Sequence, residues 1–128
     1  MNGPEALGKT ILIVDPNELN TKLYRDLLTA HGHTVITTKR GGEAILLARQ
    51  HRPNLILLET YLLGDVHGLD LIRSFKADAE LKSIPIIAVT GAGMKGDEER
   101  IRASGCDEYI AIPISLPHFM KTVESFLE

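Results

Sequence analysis

The chain has one cysteine in 128 residues, no tryptophan and only 5% aromatic residues. A lone cysteine, Cys106, excludes an internal disulfide and fits a reducing, cytoplasmic setting. An excess of charge of one sign is also lacking. Fourteen Lys plus Arg against 17 Asp plus Glu leave a net charge of −3. That excludes the basic excess a nucleic-acid partner demands. No apolar run approaches the roughly 20 residues of a membrane span, so no membrane partner is expected. The stretch 1–8 lacks the positive start and apolar middle of a signal peptide and reads as a flexible lead before one domain at 9–128. The five histidines, His31, His33, His51, His67 and His118, include no zinc-like set of four ligands and read as surface and turn residues. Cys106 sits beside a turn and reads as structural. No metal or cofactor is expected.

What is present is order. Apolar runs at 11–14, 35–37, 55–58, 86–89 and 109–112 alternate with segments of helical period. Three runs are almost pure Ile, Leu and Val, as in strands buried on both faces of a parallel sheet. The run at 35–37 is more polar and reads as an edge. The first helix is predicted over 18–30, with Leu19, Leu23, Leu27 and Ala30 inward and Gly32 in the turn after it. Others are predicted over 42–50, stopping before Pro53, over 69–77 and over 95–103. The helix at 95–103 turns only Met94 and Ile101 inward. A last helix follows Ser115 as N-cap, with Pro117 in its first turn and Leu116, Phe119, Met120, Val123 and Leu127 as its buried stripe. Five alternations predict an α/β fold: a five-stranded parallel sheet of order 2-1-3-4-5 flanked by five helices.

In that order the first and third strands are central, and function belongs at their carboxyl ends. Asp15 and Glu59 fall there, with Thr90 after the fourth run. The two carboxylates could hold a divalent cation or act as an acid/base pair, or could merely cap loops. Pro16, beside Asp15, adds neither a ligand side chain nor an N–H, so the site is thin for a hard cation. The stretch Gly91-Ala92-Gly93-Met94-Lys95-Gly96 fits G-x-G-x-x-G, but it follows the fourth strand and no acid closes the next. It reads as a glycine-rich loop.

Taken together, several stretches resemble the receiver domain of bacterial two-component response regulators, in particular the small stand-alone receivers of the DivK type. They are Ile11-Leu12-Ile13-Val14-Asp15 with Asn17-Glu18-Leu19-Asn20, Pro53-Asn54-Leu55-Ile56-Leu57, Gly68-Leu69, Ile84-Pro85-Ile86-Ile87-Ala88-Val89-Thr90, the run from Met94 to Ile101, Gly105-Cys106, Tyr109-Ile110 and Pro113-Ile114-Ser115. The resemblance implies a phosphoacceptor aspartate ending the third strand, two acids after the first strand holding magnesium, and a lysine before the proline after the fifth. It also implies a switch pair, which Thr90 and Tyr109 match. The chain departs from the pattern at the chemistry. The acceptor position is Glu59, the second acid is Pro16, the lysine is Ile112, and the proline expected after the third strand is missing.

Glutamate reaches one methylene further, which moves its carboxylate off the in-line position, and about 1 Å of displacement can cost ~100-fold. Phosphoryl transfer depends on positioning and charge neutralisation, and Ile112 supplies no charge. The expectation is a pseudo-receiver: not an enzyme, but a protein-interaction module of a phosphorelay. Its partner is a histidine kinase or another signalling protein, and a homodimer is possible. The expected partner surface comprises Asn17, Asn20, Met94, Lys95, Arg100, Tyr109 and His118. Glu59 either mimics an acyl phosphate by carrying charge toward Thr90 or plugs a disused pocket. Competing readings are a working phosphoacceptor with a non-standard site and a small-ligand sensor.

Overall fold

A computed structural model describes residues 8–62, 66–91 and 96–128. Its elements are β1 (Thr10–Val14), α1 (Glu18–Ala30), β2 (Thr34–Thr38), α2 (Gly41–His51), β3 (Leu55–Leu58), α3 (Gly68–Ala77), β4 (Ile86–Thr90), α4 (Asp97–Ala103), β5 (Glu108–Ala111) and α5 (Leu116–Leu127). The strands form one parallel sheet in the order β2-β1-β3-β4-β5, as the alternation predicts.

The period of two along each strand sorts the core into two layers. Ile11, Ile13, Leu55, Leu57, Ile87, Val89 and Ile110 face Tyr24 and Leu28 of α1 and Phe119, Val123 and Leu127 of α5. Leu12, Val14, Ile56, Leu58 and Ile86 face Ala44 and Ala48 of α2 and Leu71, Ile72 and Phe75 of α3. Every residue of β3 and β4 is buried, whereas the edge strand β2 is half exposed.

Several expectations need correction. Of the α1 stripe only Leu27 packs on the core: Leu19 is 80% exposed, Leu23 39% exposed and Ala30 exposed, and Tyr24 and Leu28 are buried in their place. The helix carries two apolar stripes. The one with an aromatic wins because the Tyr24 ring stacks on Phe119 with centroids 5.2 Å apart. On α5, Phe119, Val123 and Leu127 are buried as expected, but Leu116 is 46% exposed at the open first turn. Helix α4 begins two residues late, after Gly96 with φ +91°. The inward residues described on it are Asp97 and Ile101, and Met94 lies outside the described residues. Asp97 tolerates burial because it pairs with Arg100.

His33 is not a surface histidine. It is buried, with Nε2 2.7 Å from Glu124 Oε1, and so ties the turn before β2 to α5. His67 caps α3, its Nδ1 accepting from the Leu69 N–H at 3.2 Å. Burial pushes the Cys106 thiol up from its ordinary pKa, which suits an unreactive side chain. Among the described residues no helix is long and apolar enough to cross a membrane.

Candidate functional site at the strand carboxyl ends

The ladder continues one step past the strands. The Asp15 N–H donates to Thr38 O at 3.0 Å, and the Glu59 N–H donates to Val14 O at 2.9 Å. Val14 is in register with Leu58, so the two acids leave the sheet side by side. Thr90 ends β4 next to them. All three are buried, Glu59 least so at 9% exposed.

Asp15 is held by its own loop. Oδ1 accepts from the Asn17 N–H at 2.8 Å and Oδ2 from Asn20 Nδ2 at 3.4 Å. Burial raises its pKa and the nearby Glu59 charge raises it further, while the bonds from Asn17 and Asn20 oppose the shift. Both acids also act on the Tyr24 phenol. Burial first, then Asp15 and Glu59, hold it far above the ordinary phenol range.

Glu59 curls back on its own chain. Oε2 accepts from the Tyr61 N–H at 3.1 Å and lies 3.5 Å from Thr60 Oγ1. The same Thr60 hydroxyl is 3.1 Å from Thr90 Oγ1. One proton per hydroxyl satisfies the string if Thr90 donates to Thr60 and Thr60 to Glu59. Thr60 is the participant that sequence reasoning passed over. Its signal was its place directly after the acid. The structure adds that Gly68, opening α3, packs on the Thr60 backbone.

Pro16 and Ile112 stand at two of the positions expected to differ. Pro16 is half-buried beside Asp15. Ile112 donates its N–H to Thr90 O at 3.0 Å while its side chain packs on the core layer under α1 and α5. The Ile112–Pro113 peptide is cis. Among the described residues no basic side chain lies within ion-pair distance of Asp15 or Glu59. No three His, Cys, Asp or Glu there could hold a metal together. Two carboxylates beside a proline do not fit magnesium, which asks for near-octahedral oxygen donors.

The expected partner surface divides into separate regions. Asn17 and Asn20 are spent locally: Asn17 Oδ1 caps α1 by accepting from the Asn20 N–H at 3.0 Å, and Asn20 reaches Asp15. Arg100 lines a small cleft of about 160 Å³ with Tyr61, His67 and Asp97. Tyr109, on β5, has the Arg102 guanidinium 5.7 Å from its ring centroid, and burial followed by the charges of Glu98 and Asp97 raises its phenol pKa. Arg102 also bonds Glu98 and Glu108, at 2.8 and 2.9 Å. His118, exposed in the first turn of α5, helps hold the Glu108 carboxyl below its ordinary pKa; the Tyr109 N–H bond is the first cause. Arg102 was missed by sequence reasoning, since a charged helix face looks uniform without its partners. Met94, Lys95 and most of the glycine-rich stretch lie outside the described residues.

Comparison with known proteins agrees with this geometry. The family model for the response regulator receiver domain matches residues 11–124. The polar-differentiation response regulator DivK of Brucella anthropi is 53% identical over 121 residues, covering 94% of this chain and 98% of the relative. A response regulator structure from Chloroflexus aurantiacus superposes with a TM-score of 0.87 at 22% identity, over 94% of this chain and 98% of its own. The receiver domain of a Pseudomonas aeruginosa sensor histidine kinase, solved with magnesium in its active-site cleft, gives 0.84 at 26%, over 93% and 97%. With the family model matched over residues 11–124 and a DivK relative 53% identical along nearly its whole length, the chain belongs to the response regulator receiver domain family and is similar to its DivK members.

Proposed function

We propose that this receiver is a pseudo-receiver: a protein-interaction module of a two-component phosphorelay that works without aspartyl phosphorylation. One observation carries the reading. The carboxylate at the acceptor position, Glu59, is tied through Oε2 to the Tyr61 N–H of its own loop. Pro16 and Ile112 support it, since these two positions supply neither the second acid nor the lysine. Neutralising the charge of a phosphoryl transition state needs such groups. On this reading the chain catalyses no phosphoryl transfer and acts in the cytoplasm through its surfaces. The kinase-facing surface is the α1 stripe of Leu19 and Leu23, left exposed where the core chose Tyr24. The Tyr109 and Arg102 face serves a second signalling protein or a second copy.

The test is incubation with acetyl phosphate and magnesium, followed by intact mass measurement. An unmodified mass is expected. A stoichiometric phosphoryl adduct on Glu59 refutes the reading and restores a working phosphoacceptor. A second reading rests on the Thr90–Thr60–Glu59 string: Glu59 imitates the charge of a phosphorylated receiver and holds Thr90 in place. A group shifts a two-state equilibrium only by interacting differently with the two states. Glu59→Gln removes the charge and keeps the shape. If it changes neither partner affinity nor the environment of Tyr109, read from assigned ring-proton NMR signals, imitation is excluded and Glu59 is a plug.

A further inference from the structure

A groove of about 710 Å³ opens between α1 and the β2–α2 junction, on the β2 side of Asp15. Its volume lies within the ~300–1,000 Å³ of small-molecule sites. Four cations line it from opposite walls: Lys22 and Arg25 from α1, Lys39 and Arg40 from the turn after β2. Three acids line it too, and each is already engaged. Glu18 pairs with Lys39, Glu43 accepts from Thr38 Oγ1 at 2.7 Å, and Asp15 is held by Asn17 and Asn20. Lys22 pairs with Asp26, outside the groove lining. Among the described residues neither Arg25 nor Arg40 has a carboxylate within ion-pair distance. The groove thus keeps two uncommitted guanidinium groups, the donors best shaped for phosphate oxygens. Exposed Leu19 adds an apolar wall and Thr21 and Thr37 add hydroxyls, as a base and a ribose would need.

We infer that this groove binds a nucleoside polyphosphate, with Arg25 and Arg40 on the phosphates and Leu19 against the base. The assignment does not rest on the pseudo-receiver reading, because it uses neither Glu59 nor a phosphoryl transfer, although a bound nucleotide and a kinase would compete for Leu19. Its test is isothermal titration calorimetry of the full chain with GDP, with ADP and with inorganic pyrophosphate, without added metal. Saturable binding of a nucleotide is expected, weakened at least about tenfold by Arg25→Ala with Arg40→Ala. Arg73→Ala, a surface arginine on α3, is expected to leave it unchanged. Absence of nucleotide binding at millimolar concentration overturns the inference. So does an equal loss with Arg73→Ala, and so does pyrophosphate binding as tightly as either nucleotide. Should the double variant lose its fold, amide NMR of the unaltered chain decides. Nucleotide-induced shifts centred on Thr21, Thr37 and Thr38 support the site, and shifts centred elsewhere overturn it.

Discussion

Gly68 makes the sharpest prediction, because it ties the α3 helix to the site residue Thr60. A methyl group built on it would lie 2.3 Å from the Thr60 carbonyl oxygen and 2.5 Å from the Thr60 Cα. Both are backbone atoms, so no rotamer change relieves the overlap. Overpacking of this kind costs about 1–3 kcal/mol. The helix preference of alanine offsets at most about 1 kcal/mol, and less in a first turn, where the amides are unpaired in any case. Gly68→Ala is therefore expected to destabilise the fold by about 2 kcal/mol, a fall in Tm of roughly 6–8 °C for a domain of this size. Gly42, in the first turn of α2, is the control. A methyl there meets nothing within 4 Å, so Gly42→Ala is expected to be neutral or to stabilise by up to about 1 kcal/mol. Urea unfolding followed by far-UV circular dichroism measures both. If Gly68→Ala lies within about 0.5 kcal/mol of the parent, or the two variants shift the same way, the close approach to Thr60 is refuted.

The other predictions are simpler. Tyr24→Ala removes the stack on Phe119 and is expected to cost about 3–5 kcal/mol, while Tyr24→Phe keeps the ring and stays close to the parent. Unfolding of both variants measures this. Asp15, with its carboxyl raised above the ordinary 3.8 by burial, binds its proton more tightly folded than unfolded. It therefore subtracts stability above its folded pKa, and the loss fades as pH falls to the unfolded value. Asp15→Asn is expected to stabilise at neutral pH, with an advantage that shrinks toward pH 3.8; an advantage that grows on acidification contradicts this. Leu19→Asp is expected to leave unfolding within about 1 kcal/mol of the parent, because that side chain is 80% exposed, while weakening capture of a sensor kinase in a pull-down.

Sheet order was legible in the sequence because buried parallel strands read as nearly pure aliphatic runs, and the polar run at β2 announced an edge. The positions of Asp15, Glu59 and Thr90 followed from where those runs stop. The α1 face was not legible. Two apolar stripes compete along one helix, and the choice between them depends on Phe119, nearly a hundred residues away. His33 escaped for a similar reason: its partner Glu124 is distant in sequence, and nothing local marks the histidine as buried. Thr60 escaped because a hydroxyl carries no periodicity. Its role exists only once β4 has placed Thr90 opposite.

The separation of the core into two layers also bears on how the chain is made. The layer under α2 and α3 draws on residues 12–86, so it can close while synthesis is still under way. The layer under α1 stays open until Phe119, Val123 and Leu127 arrive with the last helix. Until then only Tyr24 and Leu28 of α1 cover the sheet face of Ile11, Ile13, Leu55 and Leu57, and the uncovered part is the kind of surface that nascent chains aggregate through. Helix α5, with Glu124 reaching back to His33, acts as the closing seal. A stop codon in place of Ser115 is expected to yield a chain that accumulates insoluble, although every strand of the sheet is present.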